Sequence, residues 1–165
     1  MVVQAVMFIF KSLGLQCVPY LGQVVPNLIY MVKTCSPSNL RESLLKQLAT
    51  LSALVKEHLR PFVGDIFDVV EQFWSTRHLA TIFGLISELA FGCPDEFRRF
   101  APRLIRRLLA TFDKLQISDW TVIEAGTAIR DQDREESDKL RLILKSIVTL
   151  KGVLGEYRRI IIPSL

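Results

Sequence analysis

Apolar residues recur at helical spacing along almost the whole of this chain. From Ser38 to Leu59, the residues Leu40, Leu44, Leu45, Leu48, Leu51, Leu54 and Val55 fall on one face of an α-helix. Asn39, with Glu42 three residues on, has the spacing of a capping box at its start. A second such face is Leu79, Ile82, Phe83, Leu85, Ile86 and Leu89, after a cap signal at Ser75 and Thr76. A third is Leu140, Ile143, Leu144, Ile147 and Leu150, after Ser137. No run alternates apolar and polar residues for more than a few positions, so the pattern predicts an all-α chain.

The helices come in pairs, and the second members resemble one another. LGQVVPNLI (21–29), FVGDIFDVV (62–70) and FRRFAPRLI (97–105) align without gaps, with Pro26, Phe67 and Pro102 at the sixth position. The spacings are 41 and 35 residues. A partial fourth copy, RRIIIPSL (158–165), keeps its proline at Pro163. Periods of about 40 residues with two helices per unit describe HEAT-type repeats, in which no hairpin buries its apolar face alone and stacking completes the core. The expected architecture is therefore an α-solenoid of about four HEAT-type helical hairpins, the last one truncated. Its repeats cover about 2–35, 37–74, 76–114 and 137–165. Residues 115–136 interrupt this array; Asp119 is placed to cap a short helix from Trp120 to Ile129, and DQDREESD follows as a charged loop. Neither end carries the polar cap a solenoid needs, as expected of a piece cut from a longer array.

Residues 12–32 carry no charge and are numerous enough to span a bilayer. Pro19 and Pro26 each remove a backbone donor, and the glycines and glutamines further disfavour transfer into lipid. Within the repeat the stretch reads as a buried second helix, so no transmembrane segment is expected. The first residues lack a basic leader and a small-residue cleavage site, which argues against a signal peptide.

Half of the 165 residues are hydrophobic and 23% are charged, which fits a folded domain or short array. A net charge of +4 is too mild to imply nucleic acid by itself. Cys17, Cys35 and Cys93 are widely spaced, with no CxxC pair, and read as reduced thiols. His58 and His78 lack zinc-ligand spacing. His58 is expected near a helix end and its carbonyls, His78 on a solvated surface. There is no phosphate loop, dinucleotide fingerprint, zinc-protease or nucleophile-elbow motif, and no kinase triplet. Glu57 and His58 point about 100° apart on a helix and form no dyad. No catalytic residue, cofactor or metal is expected from this segment.

The arginines are the best candidate for a binding surface. On a helical wheel Arg99, Arg103, Arg106 and Arg107 share an arc of about 100°, while Phe97, Ala101, Leu104, Ile105, Leu108 and Leu109 share another. One reading is a solvated face partly paired with Glu96 or with residues 131–138. Another is a docking surface for an acidic protein segment. Nucleic acid or anionic lipid is a third, disfavoured because no aromatics interleave the arginines for base stacking. Trp74 reads as core at a repeat junction, and Trp120 as either a pin for the insertion or a partner anchor. Ser118 and Ser137 are candidate phosphorylation sites, although such positions more often cap helices.

VVQAVMFIFKSLGLQCVPYLGQVVPNLIYMV and LRESLLKQLATLSALVKEHLRPFVGDIFDVVEQFW resemble the middle HEAT region of the target-of-rapamycin kinases, large PI3K-related serine/threonine protein kinases of growth control. IFKSLGLQCV, VKEHLRPF and EQFW are the most specific parts. The resemblance continues over EFRRFAPRLIRRLL and LRLILKSIVTLKGVLGEYRRIIIPSL and departs at 115–136. It implies a non-catalytic scaffold segment remote from the kinase domain. The partners it implies are other HEAT units of the same chain, a second protomer, and accessory subunits such as the regulatory-associated protein. The implied setting is the cytoplasm, or endomembrane surfaces reached through the parent complex. The competing expectation from the residues is a free-standing HEAT adaptor that binds an acidic segment in its groove.

Overall fold

A computed structural model describes residues 2–74, 77–113, 131–150 and 155, and the regular structure among them is helical. The α-helices are α1 (Val2–Leu13), α2 (Leu21–Thr34), α3 (Ser38–Val55), α4 (Val63–Phe73), α5 (Leu79–Gly92), α6 (Pro94–Asp113) and α7 (Asp131–Thr149). The chain divides into two compact units, residues 1–99 and 100–165, with the division inside α6. The expected all-α class of packed helical hairpins is the one observed. The apolar faces also lie where the spacing puts them. Leu44, Leu45, Leu48, Leu51 and Val55 of α3 are buried, as are Leu79, Ile82, Phe83, Leu85, Ile86 and Leu89 of α5. Leu40 is exposed in the first turn of α3, above the packed part of the helix.

Between the helices of the first two hairpins lies a corner absent from the expected scheme. GLQCVPY (Gly14–Tyr20) and KEHLRPF (Lys56–Phe62) both form seven-residue 3-10 segments. Each begins on a positive φ, +55° at Gly14 and +45° at Lys56. Each then buries its fourth residue, Cys17 or Leu59, and has proline sixth and an aromatic ring seventh. The positive φ breaks the preceding α-helix, and proline suits a short 3-10 turn because it has no N–H to leave unpaired.

These corners fix the repeat register at 42 residues, from Gly14 to Lys56. Leu21 then matches Val63, Val25 matches Phe67, Leu28 matches Val70 and Val32 matches Trp74, and all eight are buried. Pro26 falls opposite Asp68, both exposed, and not opposite Phe67 as the gapless alignment had it. The third hairpin follows at 38 residues: Leu44, Leu48, Leu51, Val55 and Leu59 match Ile82, Ile86, Leu89, Cys93 and Phe97, all buried. Here no separate corner forms. Instead α6 begins at Pro94, directly after Cys93, with proline in a helix-starting position.

In the first unit, α1 and α2 pack on α3, and α3 packs most extensively on α5. The first corner rests on α3 as the second rests on α5. At that second contact Gly92 stands where a Cβ would lie 3.1 Å from Lys56 Cα, and the Cys93 thiol donates to the Lys56 carbonyl at 3.4 Å. Phe67 meets Phe97 with ring centroids 5.5 Å apart. Trp74 meets Phe83 edge-on at 5.4 Å, in line with its expected place in the core. Arg41 joins three elements at once. It donates to the carbonyls of Val32 and Cys35 at the end of α2, and its guanidinium lies 4.8 Å from the Phe73 ring centre in α4.

Three expectations change. α3 starts at Ser38 without a side-chain cap, and Asn39 accepts a bond from Arg77, so Asn39 and Glu42 form no capping box. Glu42 pairs with Lys46 at 2.7 Å one turn on. α7 begins at Asp131, so DQDREESD is helical and not a loop, and Ser137 lies inside the helix. By length and composition the helical run Val3–Thr34 is sufficient to cross a membrane. Its expected burial is incomplete, with 22% of the apolar window buried. The 3-10 corner divides the run, and both parts fold against α3. The short helix expected at Trp120–Ile129, the Ser75–Thr76 cap and the fourth copy at 158–165 lie outside the described residues.

Candidate functional site

Helix α6 carries the arginines. Its buried stripe is Phe97, Ala101, Leu104, Ile105 and Leu108, as the wheel predicts, and Leu109 is half-buried at its edge. Arg99, at the end of the first unit, is exposed, and so are Arg103, Arg106 and Arg107 in the second. Asp95 and Glu96 stand in the first turn, where carboxylates favour the helix dipole.

Glu96, one of the acids weighed as a partner for the arginines, turns elsewhere. Glu96 reaches across to Arg60 of the second corner at 3.6 Å, and Asp95 pairs with Arg98 at 3.6 Å. Arg103 lies 6.0 Å from the centre of the Phe100 ring. Among the described residues no carboxylate comes within salt-bridge distance of Arg99, Arg106 or Arg107. In the second unit Arg106 and Arg107 are exposed, whereas Leu104, Ile105 and Leu108 are buried. Trp120 and Ser118 lie outside the described residues.

A second polar cluster, unforeseen in the sequence, lies where α3 begins and the segment before α5 returns to it. Arg77 Nε donates to Ser38 Oγ at 2.6 Å, and Arg77 Nη2 donates to Asn39 Oδ1 at 3.0 Å. Ser38 Oγ and His78 Nε2 are 3.0 Å apart. A neutral imidazole accepts from the Ser38 hydroxyl at Nε2 in one tautomer and donates to the Ser38 oxygen in the other. His78 is 3% exposed, so the expected solvated surface position is wrong. Burial holds its pKa below the usual imidazole value, and the nearby Arg77 charge adds to this. The Arg77 bond draws on the Ser38 oxygen and the imidazole is enclosed. The pair ties the start of α3 to the segment before α5. Its partners lie 38 to 40 positions apart, so no local motif announces it.

His58 is exposed in the second corner. Cys17 and Cys93 are buried free thiols and Cys35 is half-buried. Among the described residues no three His, Cys, Asp or Glu side chains cluster as a metal would need.

A family model described as the serine/threonine-protein kinase mTOR domain matches residues 1–56, the first hairpin through the end of α3. Over 99% of its length the chain is 37% identical to the serine/threonine-protein kinase mTor of Drosophila melanogaster. It is 33% identical to the serine/threonine-protein kinase TOR2 of Saccharomyces cerevisiae over 98% of its length. To the serine/threonine-protein kinase TOR of Arabidopsis thaliana it is 28% identical over 99%. The chain spans about 6% of the length of each of these relatives.

Proposed function

We propose, on the premise that this chain corresponds to one short segment of the target-of-rapamycin serine/threonine kinases, that it is a non-catalytic scaffold of HEAT-type hairpins. The observation that carries this reading is the repeat register. The 42-residue shift matches Ile9 with Leu51 and Leu13 with Val55. Leu51 and Val55 are fully buried on α3, which packs on the first hairpin and on α5, whereas Ile9 is 52% and Leu13 38% exposed on α1. Positions buried on α3 are thus open at their equivalents on α1, and this open apolar face supports a role in stacking. Its partners in this reading are further hairpins, a second protomer or accessory subunits of the kinase complex, in the cytoplasm or on endomembranes.

The test is the size of the native polypeptide in its source cell, by immunoblot with an antibody to residues 37–74. A band many times larger than 18.8 kDa, precipitating with serine/threonine kinase activity, is the expected result. A band at 18.8 kDa would overturn the scaffold reading and leave a free-standing adaptor.

The outward arginines of α6 favour a second role within the same frame, the docking of an acidic protein segment. Arg103, Arg106 and Arg107 of the second unit supply it. Trp120 is a further proposed anchor.

A further inference from the structure

We infer that Ser36 is a phosphorylation site for a proline-directed protein kinase, and that the basic groups around the start of α3 receive its phosphate. The inference is independent of the scaffold reading. Ser36-Pro37 is the one Ser-Pro or Thr-Pro dipeptide in the sequence. It lies in the three-residue connection between α2 and α3, and Ser36 is exposed.

Kinase clefts take substrate as extended chain, and the backbone here is extended on both sides of the serine. Cys35 has φ −65° and ψ 131°, and Pro37 has φ −67° and ψ 122°. Proline also keeps the residue before it out of the α region. A kinase that places the residue after its target in an apolar pocket without a hydrogen-bond acceptor accepts this dipeptide and rejects others. Arg41 holds the connection in place by donating to the Cys35 carbonyl, and among the described residues no hydrogen bond engages the Ser36 hydroxyl.

The phosphate would arrive in a basic setting. Arg77 donates to Ser38 Oγ at 2.6 Å, two residues along the chain, and Lys33 and Arg41 flank the connection. The nearest acid on α3, Glu42, is already paired with Lys46. In the reaction the Ser36 oxygen attacks the γ-phosphorus of ATP, the bond to the β-phosphate oxygen breaks, ADP leaves and the hydroxyl proton passes to the kinase base. The dianion then draws Arg77 further onto the α2–α3 joint.

The experiment treats the purified chain with a proline-directed kinase and ATP, and maps the product by tandem mass spectrometry. One phosphate on Ser36 is expected. It is lost in Ser36→Ala and in Pro37→Ala, whose melting curves check that the fold survives. The phosphorylated chain is expected to melt at least about 2 °C above the unmodified one, with the gain abolished in Arg77→Gln. If a peptide of residues 31–42 is phosphorylated while the folded chain is not, the joint is closed to kinases and the site is refuted. A melting gain that persists in Arg77→Gln would overturn the proposed phosphate cradle.

Discussion

His78 and the cysteines respond to solution conditions through burial. The imidazole of an unfolded chain takes a proton near its ordinary pKa of about 6.5, and the folded one resists it. Its contribution to stability is therefore complete above that value and is lost as pH falls below it. The thermal midpoint is expected to drop between about pH 7.5 and about pH 5.5, and His78→Gln to flatten part of that drop. Parallel falls in parent and variant would assign the effect to other groups. Burial also pushes the Cys17 thiol up, and the Cys93 thiol as well, with Glu96 adding to the latter. Only thiolate reacts, so iodoacetamide at about pH 8 is expected to label half-buried Cys35 first and the others on unfolding. Peptide mapping after partial labelling checks the order.

At the scale of elements, the two 3-10 corners concentrate the strain and the register. Lys56 occupies the position that Gly14 fills in the first corner, with φ +45° and ψ −118°, where a side chain is disfavoured. Lys56→Gly is expected to stabilise the chain by about 1 kcal/mol, read as a rise in thermal midpoint of about 2–4 °C. A lower midpoint would mean that the lysine side chain contributes more than its backbone costs. The matched positions of α1 and α3 allow a sharper comparison. Leu51→Asp places an unpaired charge in the core between hairpins and is expected to cost more than about 4 kcal/mol. Ile9→Asp, at the equivalent but open site, is expected to stay within about 1 kcal/mol. Equal losses in circular-dichroism melts would mean that the register of 42 is wrong.

For the whole molecule, stability and recognition are expected to separate. The double variant Arg106→Glu, Arg107→Glu touches two exposed side chains on the open side of α6. Its melt is expected to match the parent to within about 0.5 kcal/mol per site. Its capture of an acidic peptide, followed by fluorescence anisotropy, is expected to fall at least about tenfold. A parent that shows no affinity for such peptides at moderate salt would remove the docking role and leave a solvated face. Binding to a nucleic acid instead would show as a steep linear fall of log affinity with log salt.

Helical period alone determined the class of this protein and most of its core. Leu44, Leu48 and Leu51 in α3, Ile82, Ile86 and Leu89 in α5, and the two faces of α6 follow from residue spacing, because a helix of 3.6 residues per turn converts spacing into direction. The proline-bearing corners are present in the sequence too, as GLQCVPY and KEHLRPF, whereas Pro26 and Pro102, which align without gaps, lie in unlike places of their helices. Only the fold revealed that Gly14 and Lys56 share a positive φ, since a positive φ at lysine has no compositional signature. Tertiary structure alone likewise decided that His78 is buried against Ser38, that Arg77 and Asn39 supplant a capping box, and that Glu96 turns to Arg60. Those contacts join residues about 36 to 40 positions apart, and which side chains meet at such separations is set by how hairpins stack, not by local propensity.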